Sequence, residues 1–183
     1  MNTYDLLYTD PPWPQSKGNA RKARPKQGKA LDYKTMRLED IATYHKEHLD
    51  CMSENHSVFM WTIDKFLHET EQMMADFGYR LHARIIWDKK NGIAPAFTIR
   101  FSHEYLLWFY KPGRMLKPCA EMRGKFCTVI SESATVHSRK PVAAYEMLEE
   151  MFPAARKLEL FARQRREGWS AVGDELPDLV EGG

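Results

Sequence analysis

The stretch "YDLLYTDPPW" (residues 4–13) leads a strand into a turn that no strand can cross. Its first six residues alternate and end in apolar or β-branched side chains, which is the pattern of a short β-strand. Pro11 and Pro12 lack the backbone N–H that a sheet ladder requires, so the strand has to end before them. The sequence therefore predicts an acid, two rigid residues and an indole at the carboxyl end of the first strand.

Strand and helix patterns alternate along the rest of the chain. The further strand patterns are "SVFMWT" (57–62), "RLHARIIWDK" (80–89), "EYLLWFY" (104–110), "FCTVIS" (126–131), "RKLELFA" (156–162) and "GWSAVG" (168–173). The helix patterns are "LEDIATYHKEHL" (38–49), residues 64–78 closed by Gly78, and "RKPVAAYEMLEEMF" (139–152) with Ser138 as the expected N-cap. This alternation predicts an α/β fold, a three-layer sandwich around a mostly parallel sheet.

Length and charge suggest one soluble domain with a nucleic-acid partner. The 183 residues fit a single domain (1–183), and the net charge is only +2. The charge is unevenly distributed: a basic segment at 14–32 is expected to form a flexible loop, and residues 174–183 form an acidic tail. Three widely spaced cysteines fit a reducing compartment, and no run is apolar enough for a signal peptide or membrane span. We therefore expect a cytoplasmic protein that is a monomer or homodimer.

The polar residues at three strand ends predict one site. Ligands of open α/β sheets bind outside the carboxyl ends of the strands. Asp10 follows the first strand, residues 159–163 surround the "LELFAR" strand, and residues 173–175 follow the last. The segment "HSRKP" (137–141) opens a helix whose positive end favours an anion. We expect a site that is assembled from both ends of the chain.

The first strand end suits chemistry on an exocyclic amine, such as N6 of adenine. The lone pair of that nitrogen is delocalised into the ring, so the nitrogen is a poor nucleophile. The carboxylate of Asp10 and the carbonyl of Pro11 are two acceptors that could take its hydrogens and make it more tetrahedral. Trp13 offers a face on which a flipped-out base could stack. The methyl donor would then need only positioning.

Four ordered motifs resemble the MT-A70-like adenine-N6 methyltransferases. They are "DPPW" (10–13), "YKTM" (33–36), "HSRKP" (137–141) and "KLELFARQRREGWSAVGDE" (157–175), and together they cover nearly the whole chain. The resemblance implies a Rossmann-like class I methyltransferase fold with permuted motif order. The motif that holds the target amine (the amine clamp, Asp10 and Pro11) comes first, and the strand that binds the cofactor (157–163) comes near the end. The resemblance also implies S-adenosyl-L-methionine as methyl donor, and no metal.

The resemblance assigns roles to individual residues. The expected catalytic residues are Asp10, Pro11, Pro12 and Trp13. The expected cofactor-binding residues are Asp10, Lys140, Glu159, Phe161, Arg163, Asp174 and Glu175, with Glu159 at the ribose hydroxyls and Lys140 at the methionine carboxylate or nearby substrate. The family often has Asn where Asp174 stands. The expected nucleic-acid contacts are Trp13, Lys17, Arg21, Lys22, Arg24, Lys26, Lys29 and Tyr33.

Several alternatives stay open at this stage. Double-stranded DNA is favoured as substrate because the compact chain looks like bacterial or phage members of the family, whereas RNA and a non-catalytic nucleic-acid-binding subunit are the alternatives. Zinc deamination is a poor fit, because "PC" (118–119) lacks the second cysteine of a P-C-x-x-C motif. His45 and His48 do not have the H-E-x-x-H spacing, so we expect them on a solvated helix face.

Overall fold

One sheet organises the chain in the computed structural model, which describes residues 3–14, 35–90, 99–135, 139–174 and 176. Seven strands in these ranges form the sheet, in the order β5-β3-β4-β2-β1-β6-β7. Their bounds are β1 Tyr4–Thr9, β2 Met52–Thr62, β3 Arg80–Asp88, β4 His103–Tyr110, β5 Val129–Ser131, β6 Lys157–Leu160 and β7 Trp169–Val172.

The sheet is mostly parallel, and β1 lies near its centre. β1 pairs in parallel with β2 on one side and with β6 on the other, with Tyr8 opposite Glu159. Within the described ranges, β4 alone runs antiparallel to its neighbours β2 and β3. The carboxyl ends of β1 and β6 therefore lie at the same edge as the start of β4. This arrangement brings Asp10 and Glu104 to one edge of the sheet.

Helices cover both faces of the sheet and complete the three layers. Helices α1 (Leu38–Leu49) and α2 (Leu67–Asp76) lie on one face, and a 3₁₀ turn at Asp64–Phe66 precedes α2. Helix α3 (Val142–Met151) buries Ala144, Met147 and Leu148 against the other face. Gly78 ends α2 with a φ of 81°, as its position predicted. The α/β sandwich with a mostly parallel sheet is confirmed.

The start of α3 differs from the expected cap. Ser138 lies outside the described residues, and the helix begins at Val142 directly after Pro141. The Glu132 carboxylate accepts hydrogen bonds from the backbone N–H groups of Val142 at 2.9 Å and Ala143 at 3.0 Å. A distant acid therefore takes the place of a local cap and meets the positive end of the helix.

The prediction that His45 lies on a solvated helix face is wrong. His45 is fully buried where α1 meets β1, and its ring nitrogens lie 2.9 Å from Thr9 Oγ1 and 2.7 Å from the Ile41 carbonyl oxygen. Burial lowers the pKa of His45 to about 4, so the ring is neutral at physiological pH. His45 is a packed core residue whose polar atoms are satisfied.

No helix in the described ranges combines the length and the apolar character needed to cross a bilayer.

Candidate active site

A cleft of about 280 Å³ opens at the carboxyl edge of the sheet, between β1, β6 and the start of α3. Both acids that the sequence placed there, Asp10 and Glu159, line it together with Lys140. Its remaining walls combine cations with aromatic and aliphatic groups: Arg139, Val142, Tyr145, Phe161, Arg163, Gln164, Arg165 and Arg166. The two ends of the chain thus meet at one cleft.

Lys140, which lines this cleft, contacts two carboxylates. Its ammonium nitrogen lies 2.9 Å from Asp10 Oδ1 and 3.0 Å from Glu104 Oε2. Glu104 also pairs with Lys89, so two cations and two acids alternate in one cluster. The Lys140 side chain is nearly buried, whereas 24 % of the Asp10 side chain stays exposed. Asp10 is therefore the member of the cluster that a bound substrate can reach.

The two acids that share Lys140 have pKa values shifted in opposite directions. Burial raises the pKa of Asp10, and the Glu104 charge adds to that rise although Lys140 opposes it. Burial acts on Glu104 in the same direction, but Lys140 and Lys89 outweigh it and lower the pKa of Glu104. Burial opposes the charge of Lys140, yet both carboxylates raise its pKa above the usual value. Lys140 is thus a fixed cation that holds Asp10 in place.

The two prolines after Asp10 form a tight turn. The backbone N–H of Trp13 donates to the Pro11 carbonyl at 2.8 Å, and the N–H of Met36 donates to the Pro12 carbonyl at 2.9 Å. Each carbonyl oxygen has two lone pairs, so Pro11 keeps one for a further donor. The turn fixes the direction of that carbonyl, and its role as the second acceptor for an amine stays a prediction.

Trp13 does not present an open stacking face. Its ring packs against Phe66 with centroids 5.5 Å apart, its Nε1–H donates to the Trp61 carbonyl at 3.1 Å, and 7 % of the residue is exposed. An indole that pairs its N–H gains more by filling the core than by facing water. The indole is therefore a buried residue that also lines a neighbouring cleft between α1 and α2. Contact between Trp13 and a base stays a prediction.

Glu159 lies inside the sheet rather than on a solvated face. β6 is buried along its whole length between β1 and β7, and 8 % of Glu159 is exposed. The Tyr145 hydroxyl donates to Glu159 Oε1 at 2.7 Å, which leaves the second carboxylate oxygen for another donor. Burial raises the pKa of Glu159 to about 7. A buried acid with a raised pKa at the edge of a cleft is a candidate for a binding or catalytic role.

Phe161 marks a sharp change of direction at the end of β6. Its φ is 58°, a left-handed conformation that costs a residue other than glycine on the order of 1–3 kcal/mol. Its ring packs against Tyr44 of α1 at a centroid distance of 4.7 Å. Next to it, a Cβ on Gly173 would lie 2.2 Å from the Ala162 carbonyl oxygen, so only glycine fits there. This strained turn directs the residues after β6 into the cleft.

The comparisons with known proteins agree with this geometry. The MT-A70 family model matches residues 4–175. The chain belongs to the MT-A70 family. It is 27 % identical over 192 residues to the type II methyltransferase M.MunI of Mycoplasma sp, covering 96 % of this chain and 78 % of that protein.

The matching eukaryotic proteins are much longer. An Arabidopsis thaliana N(6)-adenosine-methyltransferase MT-A70-like protein is 26 % identical over 185 residues, covering 96 % of this chain and 24 % of that one. The Homo sapiens N(6)-adenosine-methyltransferase catalytic subunit METTL3 is 24 % identical over 196 residues, covering 98 % and 30 %. The chain therefore spans only about a quarter to a third of these relatives.

The other site predictions for this MT-A70 chain fall into three groups. Arg163 lines the cleft and, after the larger effect of burial, is one of the cations that oppose the raised pKa of Asp10. Asp174 is exposed and does not line the cleft, although its charge reaches Tyr44. The remaining predicted residues lie outside the described part of the chain: Lys17, Arg21, Lys22, Arg24, Lys26, Lys29, Tyr33 and Glu175.

Sequence reasoning missed two polar partners in the site. Glu104 was interpreted only as the start of a strand, and Tyr145 only as part of a helix. An acid that opens the otherwise apolar run "EYLLWFY" is the same signal that singled out Glu159 in "LELF". Tyr145 carried no comparable signal, because a tyrosine on an amphipathic helix is an ordinary core residue.

Proposed function

We propose that this MT-A70 chain is an S-adenosyl-L-methionine-dependent methyltransferase that methylates the N6 amino group of adenine in DNA. The observation that carries the proposal is Asp10, a partly exposed carboxylate at the carboxyl end of β1 that Lys140 holds beside the Glu159 cleft. The carbonyl of Pro11, one residue later, is the second acceptor. Two fixed acceptors are what an amine with two hydrogens requires.

The chain would act on the amine by orientation and hydrogen bonding. Asp10 and the Pro11 carbonyl would each accept one N6 hydrogen, which draws the nitrogen lone pair out of the ring and toward the methyl donor. Such preorganised acceptors act most strongly where positive charge develops on the nitrogen in the transition state. After transfer the nitrogen loses one proton, and Asp10 lies in position to receive it and pass it to solvent. No covalent nucleophile from the chain is needed.

The cleft residues fit S-adenosyl-L-methionine by the chemistry of their donors and acceptors. Glu159 has one free carboxylate oxygen for ribose hydroxyls, and Phe161 offers an aromatic wall. Arg139, Arg163 and Arg165 can meet a carboxylate. When bound, the cofactor supplies a methyl group on a sulfonium, and the sulfur keeps the electron pair of the broken bond. Lys140 is occupied by Asp10 and Glu104, so we assign the methionine carboxylate to Arg139 and Arg165 instead.

DNA is proposed over RNA because of which relatives the chain covers. It spans 78 % of the bacterial type II methyltransferase, but 24 % of the plant N(6)-adenosine-methyltransferase. The relatives with adenosine in their names keep RNA as the second candidate. A non-catalytic subunit is the third, and it predicts no cofactor binding by calorimetry.

Transfer of labelled methyl tests the proposal. The acceptors are DNA and RNA oligonucleotides of one sequence, each single- and double-stranded, and a matched set without adenine. We expect label in adenine-containing DNA and N6-methyladenine after digestion. Label confined to RNA would replace DNA by RNA, and label in none of the acceptors would contradict the activity.

A further inference from the structure

A second cleft of about 320 Å³ lies on the same face of the sheet as α3, away from Asp10. Its wall is formed by aromatic, sulfur-containing and cationic side chains, chiefly His82, Trp108, Met122, Lys117, Arg123 and Phe126. None of these residues has a role in the proposed chemistry. The cleft is therefore available for a separate task.

The two clefts lie at opposite ends of α3. Val142, the first residue of the helix, lines the active-site cleft, and Met151, the last, lines the second cleft. At 1.5 Å per residue the helix places these two ends about 14 Å apart. Strand β4 gives a similar spacing, since Glu104 lies in the active-site cluster and Trp108 in the second cleft, about 13 Å further along. One ligand that is a few nucleotides long could therefore reach both.

Charge favours an anionic ligand at the second cleft. Residues 111–126 contain five cations and one acid, Glu121. Lys117 and Arg123 line the cleft and are exposed, and Lys125 follows beside Phe126. The Arg123 Nε–H donates to the Pro118 carbonyl at 3.3 Å, which holds the guanidinium at the rim. Arg114, another cation of this segment, lies 3.5 Å from the carboxylate of Glu54, and both side chains are largely exposed.

The aromatic residues favour a ligand with flat rings. Phe126 is 37 % exposed at the mouth of the cleft. His82 packs with its ring centroid 4.4 Å from that of Trp108 on the wall. The Nε1–H of Trp108, which lines the cleft, is buried and has no acceptor among the described residues. Exposed rings between cations are what single-stranded nucleic acid binds.

We propose that this second cleft binds the nucleic-acid strand next to the target adenine, with a base stacked on Phe126 and phosphates at Lys117 and Arg123. The proposal rests on the proposed function for the presence of nucleic acid at the first cleft, and it adds an anchor several nucleotides away. Single-stranded DNA and RNA share the chemistry required, namely a π-face and a phosphate.

Salt dependence and strand length test the anchor. The double variant Lys117→Gln with Arg123→Gln should lower the slope of log affinity against log salt by about 1.4 for a strand of about 15 nucleotides. Phe126→Ala should weaken binding of that strand about five- to a hundredfold. An adenine-centred trinucleotide is too short to reach the second cleft, so its binding should be unchanged. Strands of DNA and RNA with one sequence tell which is preferred.

Matched controls separate the cleft from general charge. Lys46→Gln with Lys65→Gln removes two exposed cations from the opposite face, and Val129→Ala removes an exposed apolar side chain outside the cleft. Both should behave as the unmodified protein. Equal salt slopes in the cleft double variant and the control double variant would overturn the anchor. It would also be overturned if the cleft bound an acidic peptide that a nucleic-acid strand could not displace.

The binding measurements also separate failure of the anchor from failure of the proposed activity. Binding of the strand needs no methyl transfer. If no acceptor is labelled, the slopes still decide the anchor. If the unmodified protein labels DNA and the slopes are equal, the activity stands and the anchor is overturned.

Discussion

Lys140 Nζ lies 2.9 Å from Asp10 Oδ1, in a position where the same ammonium also contacts Glu104 at 3.0 Å. The nearly buried Lys140 ammonium favours the ionised form of both acids, and this effect is lost when the cation is removed. Asp10 is therefore prepared for its role by residues far from it in sequence. The first two predictions follow from this cluster.

Loss of Lys140 should destabilise the fold in a pH-dependent way. Lys140→Met leaves Asp10 and Glu104 partly buried without their shared cation, a change that typically costs about 3–5 kcal/mol. The pKa of Asp10, which burial already raises, then rises further, so the stability loss grows as pH rises. Urea unfolding at pH 8 and pH 5 should give a larger deficit at pH 8.

A second-site change provides the control for Lys140. Adding Glu104→Gln to Lys140→Met removes the neighbouring Glu104 charge that disfavours the ionised form of Asp10, so the deficit at pH 8 should shrink. An equal deficit at both pH values, with no recovery in the double variant, would mean that Lys140 contributes packing rather than charge.

Glu104→Gln alone should move the pH dependence of methyl transfer. The Glu104 charge contributes to the raised pKa of Asp10, after the larger effect of burial. Asp10 must be ionised to accept an amine hydrogen, so the rate falls as pH drops through its pKa. Without the Glu104 charge that acid limb should shift to lower pH. The exposed Asp40→Asn variant should keep the original profile, and a limb that stays in place in Glu104→Gln would contradict the coupling.

The Glu159 carboxylate should lower the folding stability of the free protein and strengthen cofactor binding. Burial raises its pKa from 4.5 to about 7, so the folded state is penalised as pH rises from the unfolded pKa through the folded one. Glu159→Gln should therefore stabilise the free protein above pH 7 by at most about 3 kcal/mol, with little effect near pH 4. The same variant should weaken S-adenosyl-L-methionine binding about ten- to a hundredfold.

Calorimetry and unfolding together check Glu159. The exposed Glu167→Gln variant, on the loop before β7, should change neither stability nor affinity. Unchanged cofactor affinity in Glu159→Gln would make Glu159 a structural residue, and a loss of stability at high pH would contradict its raised pKa.

The basic segment 14–32 should contribute to nucleic-acid binding through phosphates. The parts of the chain that precede and follow this segment come together near Asp10, because the Met36 N–H donates to the Pro12 carbonyl at 2.9 Å. Replacing Arg21, Lys22 and Arg24 with Gln should flatten the salt slope on duplex DNA by about two to three units and weaken all sequences alike. Methyl transfer from the saturated complex should change far less. An unaltered slope would leave the segment as a solvated charge run.

Local patterns predicted the layers of the fold and the place of the site. The strand at 4–9 and the helix at 38–49 have the predicted bounds, because alternation and helical periodicity report burial directly. The strand ends that carried Asp10 and Glu159 do meet at one cleft. That result follows from the general geometry of parallel sheets.

Contacts between elements that are far apart along the chain could not be predicted from local sequence patterns. Alternation would have placed Glu159 in solvent, but strands on both sides and layers on both faces bury β6 completely. The prediction for His45 fails for the same reason, since its hydrogen bond to Thr9 depends on where α1 packs on the sheet. Glu104 and Lys140 are 36 positions apart, and only the antiparallel β4 brings them together.

Methyl transfer by Asp10→Ala tests the central claim most directly. Asp10 is also an expected cofactor contact, but the variant keeps Glu159 and the other cleft residues, so S-adenosyl-L-methionine should still bind, and the rate is compared at saturating cofactor. Loss of one preorganised acceptor should lower the rate on adenine-containing DNA about 10²–10³-fold. Circular dichroism and thermal unfolding establish that the variant is folded. A folded Asp10→Ala protein that binds the cofactor and transfers methyl at nearly the original rate would contradict the amine clamp.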